Sequence, residues 1–224
     1  MTKQEVSKRV VEVGIVPVVR ASSPKEAMLA AEAVCAGGVP VVEVTMTVPG
    51  AVDVIAQLTK SMGSEVLIGA GTVLDAETAQ RCLDAGAEFF VSPGFDLETV
   101  KFANRVGKLM MAGALTPTEV ITAWNAGSDF VKIFPCGTVG GARYIKALKA
   151  PLPNIPMIPT GGVNLQTAAD FIRAGAAALG IGGELVSAAS LKSGDARSIT
   201  EAARQYVQIV REARQSTKTA LAAG

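Results

Sequence analysis

Short apolar runs rich in Val and Ile alternate along the chain with longer segments in which apolar residues recur at helical spacing. The runs begin near Gly14 (GIVPVVR), Val39 (VPVVEVTMT), Val66 (VLIGAGTV), Phe89 (FFVSPG), Leu109 (LMMAGAL), Phe130 (FVKIFP), Met157 (MIPTGG) and Ala178 (ALGIGG). Successive starts lie 20 to 27 residues apart, which is room for one strand, one helix and two short loops. Strands that are apolar on both faces and separated by helices predict a parallel sheet covered on both sides. Eight such units predict an α/β fold, a single (β/α)8 TIM barrel, with an N-terminal helix in the polar segment Met1 to Glu12. A doubly wound open sheet is the alternative, although it seldom needs eight equal units.

Helix punctuation agrees with this count. Glycine stands between helix and strand at Gly37, Gly63, Gly86, Gly107, Gly127 and Gly175, where a left-handed residue is expected to end each helix. Thr116-Pro117-Thr118-Glu119 has the form of a capping box with Pro in the first turn. Ser23-Pro24 with Glu26, and Asn164, are expected to start helices in a similar way. The last helix is expected from about Ser198 to Arg214, followed by a frayed tail over 216–224. The barrel domain is thus 1–215, without a linker or second domain.

Composition narrows the function. The 224 residues are 49% hydrophobic, enough for one large core and too apolar for disorder. No apolar run reaches the roughly 18 to 20 residues of a membrane span. The N-terminus has no apolar stretch of the signal-peptide kind, so a cytoplasmic location without a membrane partner is expected. Lys plus Arg is 21 against 20 Asp plus Glu, and a net charge of +1 offers no basic field for nucleic acid. There is no histidine, which excludes Ser-His-Asp hydrolysis, His-bound metals and His general bases. Cys35, Cys82 and Cys136 lie too far apart in sequence to suggest a disulfide framework or a thiolate metal site. Neither metal nor cofactor is expected, and chemistry falls to Lys, Glu, Asp, Arg, Thr, Ser or Cys.

The active site of a βα barrel lies at the C-terminal ends of its strands. Lys132, inside the apolar run FVKIFP, must be paired or functional. Desolvation favours a neutral, nucleophilic amine, which suits Schiff-base formation with a ketone. Glu43, inside VVEVT, is similarly placed, and a carboxylate near such an amine can shuttle protons. A structural ion pair is the other reading of these two residues. Thr160-Gly161-Gly162 and Gly180-Ile181-Gly182-Gly183 follow the seventh and eighth runs, where barrels often cradle phosphate with backbone N–H groups. Those glycines also suit tight turns, and the neighbouring Glu184 opposes an anion. Arg20 could hold a carboxylate, or form a surface ion pair. Thr72 and Thr160 could hydrogen-bond a keto acid, or cap loops. Cys136 reads as packing, as do Cys35 and Cys82 on their helices.

In combination and order, these motifs resemble the 2-keto-3-deoxy-6-phosphogluconate (KDPG) and 4-hydroxy-2-oxoglutarate (KHG) aldolase family. The likeness runs from about Ile15 to Val210. It rests on Gly38-Val39 leading into Val42-Glu43-Val44-Thr45, then Gly69-Ala70-Gly71-Thr72-Val73, Ser92-Pro93-Gly94, Lys132-Ile133-Phe134-Pro135 and Pro159-Thr160-Gly161-Gly162-Val163. The resemblance implies a metal-free class I aldolase, a lyase, usually homotrimeric, acting on a small keto acid. KDPG would yield pyruvate and glyceraldehyde 3-phosphate, and KHG would yield pyruvate and glyoxylate. The resemblance makes Lys132 the Schiff-base lysine and Glu43 the general acid/base. It places Thr72, Pro93 and Thr160 against the substrate and Gly161, Gly162, Gly182 and Gly183 around the phosphate. Two positions depart from the family pattern. Thr47 stands where well-known members carry a carboxylate-binding Arg, and Arg20 is the expected substitute. Gly183, followed by Glu184, stands where many members carry Ser, which opens the possibility of an unphosphorylated substrate. An isomerase or epimerase on the same barrel would leave Lys132 without a task, whereas a non-catalytic or engineered trimeric scaffold could keep every motif.

Overall fold

The structure, a computed structural model, describes residues 1–216 in full and the backbone of the last helix to Ala222. Its strands are β1 (Ile15–Val19), β2 (Val41–Thr45), β3 (Leu67–Gly71), β4 (Phe89–Val91), β5 (Leu109–Ala114), β6 (Phe130–Ile133), β7 (Met157–Pro159) and β8 (Leu179–Ile181). All ladders are parallel, in the order β7-β6-β5-β4-β3-β2-β1-β8. A parallel bridge between Thr160 and Gly180 joins the two ends of that order and closes the barrel. The expected (β/α)8 barrel is therefore the observed one, and the open sheet is not.

Helices α1 (Lys3–Val13), α2 (Pro24–Ala36), α3 (Ala51–Met62), α4 (Ala76–Asp84) and α5 (Leu97–Arg105) precede the first five strands in turn. They are followed by α6 (Pro117–Asn125), α7 (Ala142–Lys149), α8 (Ala168–Arg173), α9 (Ala188–Ser193) and α10 (Ala196–Ala222). The predicted N-terminal helix is α1, and Thr2 with Glu5 forms a capping box at its start. Thr116 and Glu119 form the predicted box on α6, and Ser23 accepts a hydrogen bond from the Glu26 N–H at the start of α2. The short α9 has no counterpart in the sequence reading. Helix α10 begins at Ala196 and runs on past Arg214. The frayed tail expected over 216–224 falls almost wholly on residues outside the fully described set. No described helix is long and apolar enough to cross a membrane.

Alternation along each strand divides the core in two. Val19, Val42, Val44, Ile68, Ala70, Phe90, Ala112, Val131 and Ile181 pack outward against the helices. Val16, Val41, Leu67, Phe89, Leu109, Phe130 and Ile158 fill the barrel itself, joined by Val6 and Val10 of α1. Helix α1 is thus a plug at the N-terminal end, held also by Lys3 Nζ, 3.0 Å from Asp129. Five of the six predicted helix-ending glycines have positive φ, but Gly37 does not, at −82°. The left-handed turn falls one residue later, on Gly38 at φ +91°. Gly37 serves close approach instead: a Cβ there would lie 2.7 Å from the Thr200 carbonyl of α10.

Candidate active site

Strand parity decides which polar side chains enter the barrel. Glu43 and Thr45 share the inner face of β2 with Val41, and Lys132 shares that of β6 with Phe130. The two expected catalytic residues meet there. Lys132 Nζ lies 3.8 Å from Glu43 Oε1, with only 4% and 2% of the two side chains exposed. The contact is ionic but too long for a hydrogen bond, and Glu43 Oε1 has no hydrogen-bond partner. Burial pushes the Glu43 carboxyl above its ordinary value, while the charges of Lys132 and then Arg20 pull it down. Lys132 Nζ also stands 5.5 Å from the centroid of the Phe134 ring, within cation–π range. A buried pair of this kind is a poor stabiliser once desolvation is counted, and an unsatisfied carboxylate oxygen beside an amine is open to a ligand.

The room for this pair comes from missing side chains. A Cβ on Gly71 would collide with the Glu43 carboxylate, and one on Gly69 with the Phe89 ring. A Cβ on Gly113 would strike the backbone of Pro93, which lets the Ser92–Gly94 segment fold over β5. Gly113 N–H donates to the Gly94 carbonyl at 3.1 Å and to Ser92 Oγ at 3.3 Å. Pro93 is thereby half-buried over the mouth of the barrel.

A cavity of about 170 Å³ opens at the strand ends, next to the layer that holds the pair. Val18, which pairs in register with Glu43, and Phe134 are in its wall. Arg20, Thr160, Gly161, Gly162, Gly182, Gly183 and Glu184 complete it. Arg20 has no ion-pair or hydrogen-bond partner among the described residues. Thr160 is buried, and its side chain rests against the bare backbone of Gly180. Gly161 and Gly162 have φ of +87° and +76°, so their turn requires glycine. Gly182 and Gly183 have ordinary φ, and a Cβ on either would meet nothing within 4 Å. The bridge that closes the barrel takes up the Gly161 N–H, whereas among the described residues the N–H groups of Gly162 and Gly183 have no protein acceptor. Most of the predicted binding residues therefore converge on this one cavity.

Thr72 lies apart from them. It lines a separate cavity of about 370 Å³ between the loops that follow β2 and β3. Its φ of +57° makes it the one non-glycine residue with positive φ among the described residues. A β-branched residue costs roughly 1–3 kcal/mol in that conformation, and such strain tends to collect at functional sites. Thr47 is exposed, with its hydroxyl 2.6 Å from that of Thr45, so no cation stands at that position. Cys136 is buried packing as expected, and burial pushes its thiol up to about 11. A larger cavity, about 740 Å³, lies beside the 3₁₀ turn Cys136–Val139 and shares only Gly161 and Gly162 with the site. Phe134 is the residue that sequence reasoning gave no role. Its period-2 spacing from Lys132 was the available signal. No group of three or more His, Cys, Asp or Glu side chains is placed to hold a metal among the described residues.

The raised Glu43 carboxyl predicts a pH dependence of stability. Above its ordinary 4.5 the folded state binds the proton more tightly than the unfolded chain. The group's contribution is therefore fully present below pH 4.5 and is lost as pH rises through the native value. Urea unfolding of the native sequence and of Glu43→Gln across this window checks it. The native protein should lose stability relative to the variant as pH rises, and parallel curves would contradict the raised value.

Comparison with known proteins agrees with the geometry. The family model described as KDPG and KHG aldolase matches residues 6–202. A 2-dehydro-3-deoxy-phosphogluconate aldolase of Treponema pallidum is 36% identical over 199 residues, covering 88% of this chain and 94% of the relative. A KHG/KDPG aldolase of Escherichia coli is 34% identical over 195 residues, covering 87% and 91%. A KDPG aldolase structure from Legionella pneumophila holds pyruvate, captured at low pH as a covalent carbinolamine intermediate. It superimposes with a TM-score of 0.82 at 28% identity, covering 88% of this chain and 96% of the other. With this match over most of its length, the chain belongs to the KDPG/KHG aldolase family of lyases.

Proposed function

We propose that this class I aldolase forms its Schiff base on Lys132, with Glu43 moving the protons. The observation that carries the reading is the buried, incompletely satisfied Lys132–Glu43 pair next to a cavity with an unpaired guanidinium. The Lys132 amine attacks the C2 ketone of the keto acid, and the ketone oxygen takes a proton to give a carbinolamine. Loss of water leaves an iminium. Glu43 takes the proton from the C4 hydroxyl, the C3–C4 bond breaks, and its electron pair flows into the iminium to give an enamine while the aldehyde departs. Protonation at C3 and hydrolysis return pyruvate and the free lysine.

Arg20 holds the substrate carboxylate in the place of the cation missing at Thr47. Thr160 and Pro93 bound the keto acid. Thr72 acts from the neighbouring loop, where its strained backbone supports a role in the same reaction. The N–H groups of Gly162 and Gly183, with the turn at Gly161 and the open space at Gly182, form the seat for a phosphate at the far end of the substrate. The substrates in this reading are KDPG, cleaved to pyruvate and glyceraldehyde 3-phosphate, and KHG, cleaved to pyruvate and glyoxylate. A homotrimer and a cytoplasmic location enter on the family resemblance.

Exchange of the pyruvate methyl protons in D₂O, followed by NMR, reads enamine formation without any aldehyde. Native protein should exchange them, Lys132→Met should not, and Glu43→Gln should be slower by about 10²–10⁴-fold. Exchange that survives in folded Lys132→Met would refute the assignment. For Arg20, loss of a charge-assisted hydrogen bond worth about 1.5–3 kcal/mol should raise the KM for pyruvate by roughly 10- to 100-fold in Arg20→Ala. Thermal stability should barely move. An unchanged KM would remove Arg20 from the site.

A further inference from the structure

The cavity at the strand ends is electrostatically divided. Arg20 and the free N–H groups of Gly162 and Gly183 favour an anion. Glu184, in the wall of the same cavity, opposes one. Its carboxylate has no ion pair or hydrogen bond among the described residues. The backbone beside it is fixed. Leu185 N–H and Val186 N–H both donate to the Gly182 carbonyl at 2.9 Å, and both side chains are buried. Glu184 therefore cannot leave the cavity by a swing of the whole turn. Its charge is also felt inside the fold. The buried Tyr206 hydroxyl of α10 is raised to about 12, first by burial and second by Glu184.

A terminal phosphate carries close to two negative charges at neutral pH and has only acceptor oxygens to offer a carboxylate. A terminal hydroxyl is neutral and can donate to it. We infer that Glu184 is a specificity-determining residue that weakens the hold on a terminal phosphate and accepts a hydrogen bond from a terminal hydroxyl. Unphosphorylated 2-keto-3-deoxy sugar acids are then turned over alongside the phosphorylated ones. The inference rests on the aldolase reading and concerns only the far end of the substrate.

The test compares kcat/KM for 2-keto-3-deoxygluconate and for its 6-phosphate in the native enzyme, Glu184→Gln and Glu184→Ser. Both replacements are on an exposed side chain and remove the charge while keeping a polar group. The ratio of phosphorylated to unphosphorylated kcat/KM should rise about tenfold or more in both variants, chiefly through KM for the phosphorylated substrate. A ratio that stays within threefold of the native value would overturn the inference. Methyl-proton exchange of pyruvate by the native enzyme, which needs no tail, separates the failures. Intact exchange with an unchanged ratio refutes the role of Glu184 alone, whereas absent exchange refutes the aldolase reading and the inference with it.

Discussion

Two charged side chains, Lys132 and Glu43, face each other 3.8 Å apart inside a barrel that is otherwise filled with Val, Leu, Phe and Met. Desolvating both groups is costly, and their mutual attraction is incomplete, because one carboxylate oxygen has no hydrogen bond. Much of the interior follows from accommodating them. Beyond Leu67, the inner face of β3 carries only Gly69 and Gly71, which gives the Phe89 ring and the Glu43 carboxylate space. Gly113 lets the Pro93 segment close over β5, and Gly180 lets Thr160 lean across β8. The N-terminal half of the barrel shows the opposite economy. There Leu67, Leu109 and Phe130 pack tightly and α1 seals the end with Val6 and Val10. Stability is concentrated in one half of the barrel and chemistry in the other.

The barrel was legible because its signals are local and periodic. Each apolar run found in the sequence contains an observed strand, starting within two residues of the expected place. The same period-2 alternation puts Glu43 with Val41 and Lys132 with Phe130, so the central pair could be read before any coordinates. What escaped depends on tertiary neighbours or lacks a repeating pattern. The turn at Gly37 and Gly38 was misplaced by one residue, because Gly37 answers to α10, more than 160 residues further along the chain. Helix α9 has only six residues, too few to show a period. Thr72 follows a strand like the other site residues, yet its left-handed backbone and separate cavity come from the course of a loop.

The two departures from the family pattern fall on different loops, one after β2 and one after β8. After β2, Thr47 bonds to Thr45, and Arg20 of the neighbouring β1 end supplies an unpaired guanidinium to the cavity. A cation is thus kept at the cavity although the chain delivers it from another strand. After β7 and β8, Gly161, Gly162 and Gly183 line the same cavity, and the Glu184 carboxylate stands in its wall. The central ion pair and the rim of the cavity are therefore built by separate elements, the strands for one and the loops after β7 and β8 for the other.

The central claim is that Lys132 becomes covalently bound to the keto acid. Borohydride reduction in the presence of pyruvate, followed by intact-mass and peptide mass spectrometry, tests it most directly. The account predicts one stable adduct per chain, located on Lys132 and missing from Lys132→Met. Folded native protein that shows no adduct, or an adduct on another lysine, would contradict it.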